Sequence, residues 1–330
     1  MLTMLFIVIL IVIVALIVGL YQKSTNAICL SKKRLDGKTV IVTGGTTGMG
    51  LKIATDLAER GARVVIACPF EDEGVTAKKE IINTTGNEQV IFRLLDLSSI
   101  QSVRKFADEI IKSEEKLHIL VNNAGVCMGE EYITEDDMSF TMQTNYFGHF
   151  LLTLLLIPLL KNTGRISEPS RIVNVTSQAH FKGKINFRKM NDIKYWTSFQ
   201  IYANSKLCLA LFTRELAKKL KWSNIVVNNA DPGYVATFII KFHNKILKIM
   251  FYLLIKVTHI SGFLKNPRVG AQTAIHVALD DDAGAVSGEM FYNCKLSKAA
   301  AMAYDEDLAQ KLWDESIKLV KLNREELVNI

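Results

Sequence analysis

The chain has 330 residues, 49% of them hydrophobic, and a formal net charge of +7. This length and apolar content suffice for one sizeable α/β domain plus an appendage. The positive charge lies in two segments, because residues 23–38 hold five basic side chains and one acid, and residues 238–265 hold five lysines and no acid. The rest of the chain has no basic excess, which argues against nucleic-acid binding and favours contact of both segments with an anionic membrane surface.

The appendage is the N-terminus. From Met1 to Leu20 only Thr3 and Gly19 interrupt a run of Leu, Ile, Val, Met, Phe and Ala, and about twenty helical residues span a bilayer core of about 30 Å. The alternative is a cleaved signal peptide, which needs a basic stretch before the apolar run and a small-residue cleavage site; this sequence has neither. Basic residues follow the run and none precedes it, so the positive-inside rule places the rest of the chain in the cytosol.

These features predict a single-pass transmembrane anchor over residues 1–22, a basic linker over 23–37 and a cytosol-facing domain over 38–330. The endoplasmic reticulum or another intracellular membrane is the expected location. The cysteines have no paired spacing and are odd in number, which indicates free thiols in a reducing compartment. They are Cys29, Cys68, Cys127, Cys208 and Cys294. We expect no metal site, because the sequence has no His-Glu-x-x-His motif and no cysteine cluster.

From Lys38 onward, short apolar strands alternate with helices. The expected strands are Thr39–Thr43, Arg63–Cys68, Gln89–Leu95, Leu117–Val121, Arg171–Val175, Ile225–Asn228 and Gly288–Tyr292. The expected helices include Met49–Arg60, Ser99–Lys112, Met138–Lys161 and Ala203–Leu220. Strands this apolar are typical of a parallel sheet covered by helices on both faces. The sequence therefore predicts a single α/β domain of the doubly wound, Rossmann type.

A glycine-rich turn joins the first strand to the first helix, with the sequence Thr43-Gly44-Gly45-Thr46-Thr47-Gly48-Met49-Gly50. Glycines at such a turn permit a tight bend and let a phosphate approach the start of the helix. Glycine is common in any turn, but this position directly between strand and helix favours binding of a dinucleotide pyrophosphate.

Three polar residues further along suggest chemistry on a carbonyl or alcohol. Tyr202 and Lys206 stand one helical turn apart, so the ammonium is expected to lower the pKa of the phenol. Ser177 precedes them and supplies a hydroxyl that can orient a substrate oxygen. The alternative is a simple pair on a helix surface, because Tyr-x-x-x-Lys is frequent by chance. In combination with the glycine turn, the three residues indicate hydride transfer to or from a nicotinamide.

In order along the chain, these motifs resemble the short-chain dehydrogenase/reductase family from about Lys38 to Cys294. The further motifs are Leu95-Asp96-Leu97, Asn122-Asn123-Ala124-Gly125, Asn145 and Pro232-Gly233. Finer features resemble the retinol dehydrogenase branch of that family. They include Gly148-His149-Phe150-Leu151-Leu152-Thr153, Arg171-Ile172-Val173-Asn174-Val175 and Leu211-Phe212-Thr213-Arg214-Glu215-Leu216-Ala217, together with the apolar N-terminus.

The resemblance implies catalytic roles for four residues. Tyr202 is the general acid in carbonyl reduction and, as phenolate, the base in alcohol oxidation. Lys206 stabilises the phenolate and bonds the nicotinamide ribose, and Ser177 donates to the substrate oxygen. In the family's pattern Asn145 holds a water that links Lys206 to a proton relay.

The resemblance also implies a set of cofactor contacts. They are Gly44, Thr46, Thr47, Gly48, Met49, Gly50, Asp96, Leu97, Asn123, Ala124, Gly125, Tyr202, Lys206, Pro232, Gly233 and Thr237. Two positions need comment. Asp96 matches an adenine contact, but an aspartate at this point can instead cap the following helix. Asp231 stands where the retinol branch commonly has histidine before Pro-Gly, and the sequence gives no account of the change.

The cofactor preference is ambiguous. The retinol branch commonly reads Cys-Arg-Asp after the second strand, and the arginine there suits a 2′-phosphate. This chain has Pro69 after Cys68, and its acids, Glu71 and Asp72, come slightly late. We expect NADP(H) on the basis of the family, with NAD(H) as the alternative.

The stretch 238–264 interleaves apolar residues with lysines, which is typical of an interfacial helix, and the fold would place its substrate loop at about residues 234–266. The alternative is an ordinary amphipathic helix that covers the pocket.

The sequence thus predicts a membrane-anchored oxidoreductase for a lipophilic alcohol and its carbonyl partner, with retinol and retinaldehyde as the leading pair. Alternatives are a steroid, isoprenoid or fatty substrate, or a silent lipid-binding scaffold. The expected partners are substrate and membrane lipid, not nucleic acid, and a homodimer is left open.

Overall fold

The computed structural model describes residues 24–235 and 264–323, together with residues 13, 17, 19–21, 240–241 and 325–326. Ten strands lie in this part of the chain. They are β1 (Thr39–Thr43), β2 (Arg63–Cys68), β3 (Val90–Leu94), β4 (Ile119–Asn122), β5 (Cys127–Met128), β6 (Ser170–Val175), β7 (Ile225–Asp231), β8 (Ile240–Lys241), β9 (Met290–Tyr292) and β10 (Lys295–Ser297).

The main sheet has eight strands in the order β10-β9-β7-β6-β4-β1-β2-β3. All neighbours are parallel except β10, which runs antiparallel to β9. Strands β1 and β6 are buried along their whole length, as expected for strands covered on both faces. A separate parallel pair joins β5 to β8.

Eight α-helices connect the described strands or follow them. They are α1 (Gly48–Glu59), α2 (Glu71–Thr85), α3 (Ile100–Ser113), α4 (Phe140–Thr163), α5 (Ser198–Lys219), α6 (Pro267–Leu279), α7 (Asp281–Gly284) and α8 (Glu306–Leu319). Helices α1, α2 and α6 pack on one face of the sheet, while α3, α4, α5 and α8 pack on the other. The predicted doubly wound α/β domain is confirmed.

An aromatic cluster fixes the second face. The ring of Phe150 on α4 lies 5.0 Å from that of Phe212 on α5 and 5.3 Å from that of Trp313 on α8. Edge-to-face and tilted contacts at these distances stabilise a core beyond the area that they bury. These contacts pack α5, which carries Tyr202 and Lys206, against α4 and α8.

One described helix, α4, is long and apolar enough to cross a membrane, but 89% of its most apolar window is buried inside the protein. It is therefore a core helix of the domain. The predicted anchor over residues 1–22 lies almost entirely outside the described residues, as does most of the stretch 238–264.

Most strand boundaries agree with the sequence-based expectations to within two residues. The expected helix Ala203–Leu220 is the clearest difference, since α5 begins at Ser198. The Thr197 side chain accepts a hydrogen bond from the backbone N–H of Gln200, and such a cap allows a helix to begin there. The short strands β5, β8 and β10 were not expected, because two or three residues carry no periodicity.

Candidate active site

The ends of four parallel strands bring the predicted site together. Strands β1, β4, β6 and β7 are neighbours in the sheet and run in the same direction. The residues that follow them therefore meet at one edge, where open α/β sheets bind their ligands.

The glycine turn after β1 is a cradle of bare backbone. Gly44 and Gly48 have φ values of 61° and 56°, in the left-handed region that favours glycine. A Cβ on Gly44 would lie 2.9 Å from the Cα of Ala124, and a Cβ on Gly50 would collide with the carbonyl of Gly44. Glycine is therefore required at these two positions, because the turn packs closely against the end of β4 and against the start of α1.

The start of α1 offers free donors to that cradle. Its N-cap, Thr47, makes no side-chain capping bond within the described structure, and the first turn contains no acid. Uncapped N–H groups and the helix dipole favour an anion at this position. Thr46 is buried beside the turn, and Met49 packs against α6, where its Sδ would lie 2.9 Å from a Cβ on Gly270.

Thr43 joins the glycine turn to the end of β4. Its hydroxyl oxygen accepts the backbone N–H groups of Asn123 and Ala124, both at 3.0 Å, and lies 2.9 Å from Nε2 of His149. Asn123 Nδ2 donates to the Thr43 carbonyl at 3.0 Å, and its Oδ1 is buried with no hydrogen-bond partner among the described residues. Beyond it, a Cβ on Gly125 would lie 3.3 Å from Nζ of Lys206. The unpartnered Oδ1 of Asn123 is therefore available to accept a hydrogen bond from a polar ligand such as a ribose.

Asp96 follows β3 and does not cap the next helix, because Ser99 is the N-cap of α3 and its side chain accepts the Ser102 N–H. Its Oδ1 accepts the Ser98 backbone N–H at 2.8 Å and the Ser98 hydroxyl at 2.6 Å. Leu97 is buried, and its carbonyl lies against Gly148. Both residues lie at the expected edge, and the adenine contact of Asp96 stays a prediction.

Asn145 lies in a π-helical segment of α4, Gln143–Phe147. Its Oδ1 accepts the Val126 N–H at 2.8 Å, while its Nδ2 donates to the Val126 carbonyl at 2.9 Å and to the Ser205 hydroxyl at 3.0 Å. Single π turns inside α-helices are frequent at functional sites. Here the π turn directs the buried amide of Asn145 towards the loop after β4, and the bond to Ser205 joins it to α5.

Tyr202, Lys206 and Ser177 converge as predicted. Nζ of Lys206 lies 5.8 Å from the centroid of the Tyr202 ring and donates to the Val175 carbonyl at 3.0 Å. The Ser177 hydroxyl forms a hydrogen bond with the Tyr202 phenol, and its oxygen also accepts the Ala179 N–H at 3.2 Å. Residues four apart on one helix face thus meet the serine that follows β6.

Burial dominates the proton affinities of these groups. It raises the pKa of Tyr202 above its ordinary value, and the hydrogen bond from Ser177 opposes the rise. It lowers the pKa of Lys206 to about 8, and the carboxylate of Asp231 opposes that fall. The expected lowering of the phenol pKa by Lys206 is therefore wrong for the protein alone, because desolvation outweighs the hydrogen bond from Ser177. Tyr202 is a neutral phenol, which suits a proton donor.

Comparison with known proteins gives a consistent result. Residues 38–246 match the short chain dehydrogenase family. The chain is 41% identical over 298 residues to human retinol dehydrogenase 11, with 90% of each chain covered. It is 38% identical over 307 residues to human retinol dehydrogenase 13, with 90% of this chain and 89% of the relative covered. The chain belongs to the short-chain dehydrogenase/reductase family, in its retinol dehydrogenase-like branch.

Solved structures agree with this assignment. An uncharacterised protein from Mycobacterium paratuberculosis superposes with a TM-score of 0.69 and 28% identity, covering 87% of this chain and 95% of its own. The RhlG/NADP active-site complex of Pseudomonas aeruginosa gives 0.62 and 26%, covering 78% and 95%. The chain is thus a nicotinamide-dependent oxidoreductase.

The dehydrogenase differs from the family pattern after β2. Phe70 precedes α2, and Glu71 and Asp72 lie in the exposed first turn of that helix. Two basic residues could replace the missing arginine. Lys52 on α1 forms an ion pair with Glu80 on α2, 3.8 Å away. Arg93 lies on β3 beside β2 and has a buried Nε with no partner in the described structure.

The residues around Pro232-Gly233 include a lysine that the sequence did not single out. Gly233 has a φ of 77°, and Lys265 lies beside it, 8% exposed, with Nζ 3.4 Å from Oδ1 of Asn293. From the sequence, Lys265 was counted with the basic, membrane-facing residues; the structure buries it. Only its charge interaction with Asp231 distinguishes it, and that interaction depends on tertiary structure. Thr237 lies outside the described residues.

Proposed function

We propose that this oxidoreductase interconverts a lipophilic alcohol and its carbonyl partner, with retinol and retinaldehyde as the leading pair. The observation that carries the proposal is the convergence of Ser177, Tyr202 and Lys206 at the strand edge, beside the glycine cradle. The substrate class comes from the retinol dehydrogenases, which are similar to this chain over 90% of its length.

Four side chains divide the work in this proposal. When bound, reduced nicotinamide supplies the hydride that adds to the carbonyl carbon. Tyr202 gives its phenolic proton to the carbonyl oxygen, and Ser177 donates a hydrogen bond to the same oxygen. Lys206 stabilises the phenolate that remains. Asn145 holds a water that links Lys206 to the proton relay through which Tyr202 is protonated again. Alcohol oxidation uses the same groups in reverse.

The proposed cofactor is NADP(H), held by the turn from Gly44 to Gly50, the edge from Asn123 to Gly125, and Pro232-Gly233. The uncapped start of α1, at the end of the glycine turn, supports binding of a dinucleotide phosphate. The acids that open α2 weaken the case for a 2′-phosphate, so NAD(H) stays the alternative.

Membrane attachment is a further part of the proposal. Asn293 follows β9 at the same sheet edge as the active site, and it bonds the backbone of Thr25 and Ala27 at 2.6 and 2.9 Å. An anchor in residues 1–22 would therefore hold the substrate-binding edge close to the bilayer. Lipophilic substrate could then reach the site without crossing water.

A substrate panel tests this function. Membranes containing the full chain are supplied with retinoid, steroid and fatty aldehydes and with NADPH or NADH, and consumption of reduced nicotinamide is followed. We expect the highest kcat/KM with retinaldehyde. A preference for a steroid or fatty aldehyde would replace the substrate assignment, and no turnover with any aldehyde would favour the silent lipid-binding scaffold.

A further inference from the structure

One buried carboxylate bridges two of the turns that form the site. Asp231, 1% exposed at the end of β7, accepts the Gly233 N–H through Oδ1 at 2.9 Å. Its Oδ2 accepts Nε2 of Gln178 at 2.6 Å. Gln178 directly follows Ser177, so a single side chain links the serine turn after β6 to the Pro232-Gly233 turn after β7.

Among the described residues, no lysine or arginine lies within 4 Å of this carboxylate, and lysines act on it only through their charge at longer range. Burial raises its pKa to about 6, opposed chiefly by the Gly233 N–H and then by the charge of Lys265. Lys206 on α5 contributes a weaker opposing charge. Tyr292 on β9 also faces it, as does Tyr202 on α5.

His180 is the remaining titratable neighbour, with Nδ1 3.9 Å from Oδ2 of Asp231. Its Nε2 accepts the Ala300 N–H at 3.1 Å, so the proton lies on Nδ1, which donates to the Ser177 carbonyl at 2.6 Å. The imidazole is therefore neutral and braces the same serine turn. A buried carboxylate without a close cation is costly, which argues for a role beyond packing.

We propose that Asp231 is a positioning residue that locks the Ser177 turn to the Pro232-Gly233 turn, so that substrate oxygen and nicotinamide are held in one geometry. This inference rests on the proposed function, since it assigns Ser177 to the substrate and Gly233 to the nicotinamide. In this chain the carboxylate has a second effect, because its charge favours the protonated form of Lys206.

Nucleotide binding tests the positioning role without any turnover. Asp231→Ala and Asp231→Asn are compared with wild type for the Kd of NADPH and of 2′-phospho-ADP-ribose, which lacks the nicotinamide. We expect Asp231→Ala to weaken NADPH binding about fivefold or more, the effect of one lost hydrogen bond, and to leave 2′-phospho-ADP-ribose unchanged. Asp231→Asn should lose less, because its amide can still accept from Gly233 and the Gln178 amide can rotate to meet it.

Glu215→Gln is the matched control. Glu215 is also a buried carboxylate, 3% exposed and 3.0 Å from Nζ of Lys219, but it lies nine residues beyond Lys206, about 13 Å along α5. Its substitution should leave both dissociation constants unchanged. Unaltered NADPH binding in Asp231→Ala, or an equal loss for the two ligands, would overturn the positioning role.

The pH profile of aldehyde reduction separates charge from geometry. In Asp231→Asn the fall of kcat/KM at high pH should move to lower pH by roughly half a unit, because Lys206 loses a neighbouring negative charge. Glu215→Gln should keep the wild-type profile, and an unmoved profile in Asp231→Asn would contradict the charge effect. If wild type reduces no aldehyde, the proposed function fails, whereas the binding comparison still decides the role of Asp231.

Discussion

Pro69 follows β2 at the position where the family resemblance leads us to expect an arginine for a 2′-phosphate, and the acids of α2 begin two residues later. A lost charge-assisted contact weakens binding by about 1.5–3 kcal/mol, or roughly ten- to 150-fold. We therefore expect wild type to prefer NADPH over NADH by less than about tenfold on this arithmetic. Pro69→Arg should raise that preference, measured as the ratio of kcat/KM values.

Pro69→Ala is the control for this prediction, since it removes the ring without adding charge and should leave the ratio unchanged. A wild type that already prefers NADPH by several hundredfold would contradict the interpretation of this loop. Arg93, with its buried and unpartnered Nε, would then be the first candidate for the phosphate contact.

Lys206 gives a pH prediction. Burial lowers its pKa to about 8, below the ordinary lysine value of 10.5, so the side chain is protonated below that pH and neutral above it. The ammonium is the form that stabilises a phenolate on Tyr202. We expect kcat/KM for aldehyde reduction to be flat below pH 8 and to fall about tenfold per unit above it. A profile that stays flat to pH 10 would show that Lys206 keeps its proton in the complex.

The sequence predicts which residues form the candidate site better than it predicts their surroundings and pKa values. The spacing of Tyr202 and Lys206 placed both on one helix face, and the structure brings Ser177 to them. The sign of the Tyr202 pKa shift was missed because desolvation depends on every group packed around the phenol. The sequence does not single out Lys265 and Gln178 for the same reason. Gln178 bonds Asp231 and the charge of Lys265 acts on it, and both relations arise only when the ends of β6 and β7 lie side by side.

The start of α5 gives a prediction for a single element. Thr197 caps the helix that carries Tyr202, its hydroxyl oxygen accepting the Gln200 N–H at 3.2 Å. Removing such a cap typically costs about 1 kcal/mol. We expect Thr197→Ala to lower the Tm by about 2–4 °C, while Thr197→Ser keeps the acceptor and should match wild type. An unchanged Tm in Thr197→Ala would mean that packing alone holds the start of α5.

The elements show where sequence patterns stop being informative. Periodicity located the long strands and helices because each buries a full face. The apolar pattern of α4 predicts an ordinary α-helix across the π-helical segment Gln143–Phe147, because one extra residue in a turn leaves that pattern nearly intact. That segment directs Asn145 into the candidate site, so the apolar pattern that predicts the helix does not reveal the turn that positions this side chain.

For the whole molecule, the stretch before β1 is docked on the domain. Asn293 bonds Thr25 and Ala27, and the Gln272 side chain accepts the Cys29 N–H at 3.0 Å. Deleting residues 1–22 should leave the Tm of the solubilised protein unchanged. Deleting residues 1–30 should lower it by about 2–4 °C through the lost hydrogen bonds, and Asn293→Ala should do the same. Equal Tm values for both deletions would show that the docked stretch adds no stability.

The doubly wound domain was predictable because alternating buried strands and amphipathic helices leave few other arrangements. The docking of residues 25–29 was not, since it depends on two polar side chains, Asn293 and Gln272, that carry no pattern. The linker predicted over 23–37 also contains Leu35, which is 2% exposed in the core.

Turnover of Tyr202→Phe tests the central claim most directly. Only the phenolic hydroxyl is lost, so packing and nucleotide binding should be preserved. We expect kcat for NADPH-dependent retinaldehyde reduction to fall roughly 10²–10⁴-fold, the usual contribution of a general acid, with the Kd of NADPH unchanged. Near-normal turnover in this variant would contradict the assignment of Tyr202 as the proton donor and, with it, the proposed chemistry of the site.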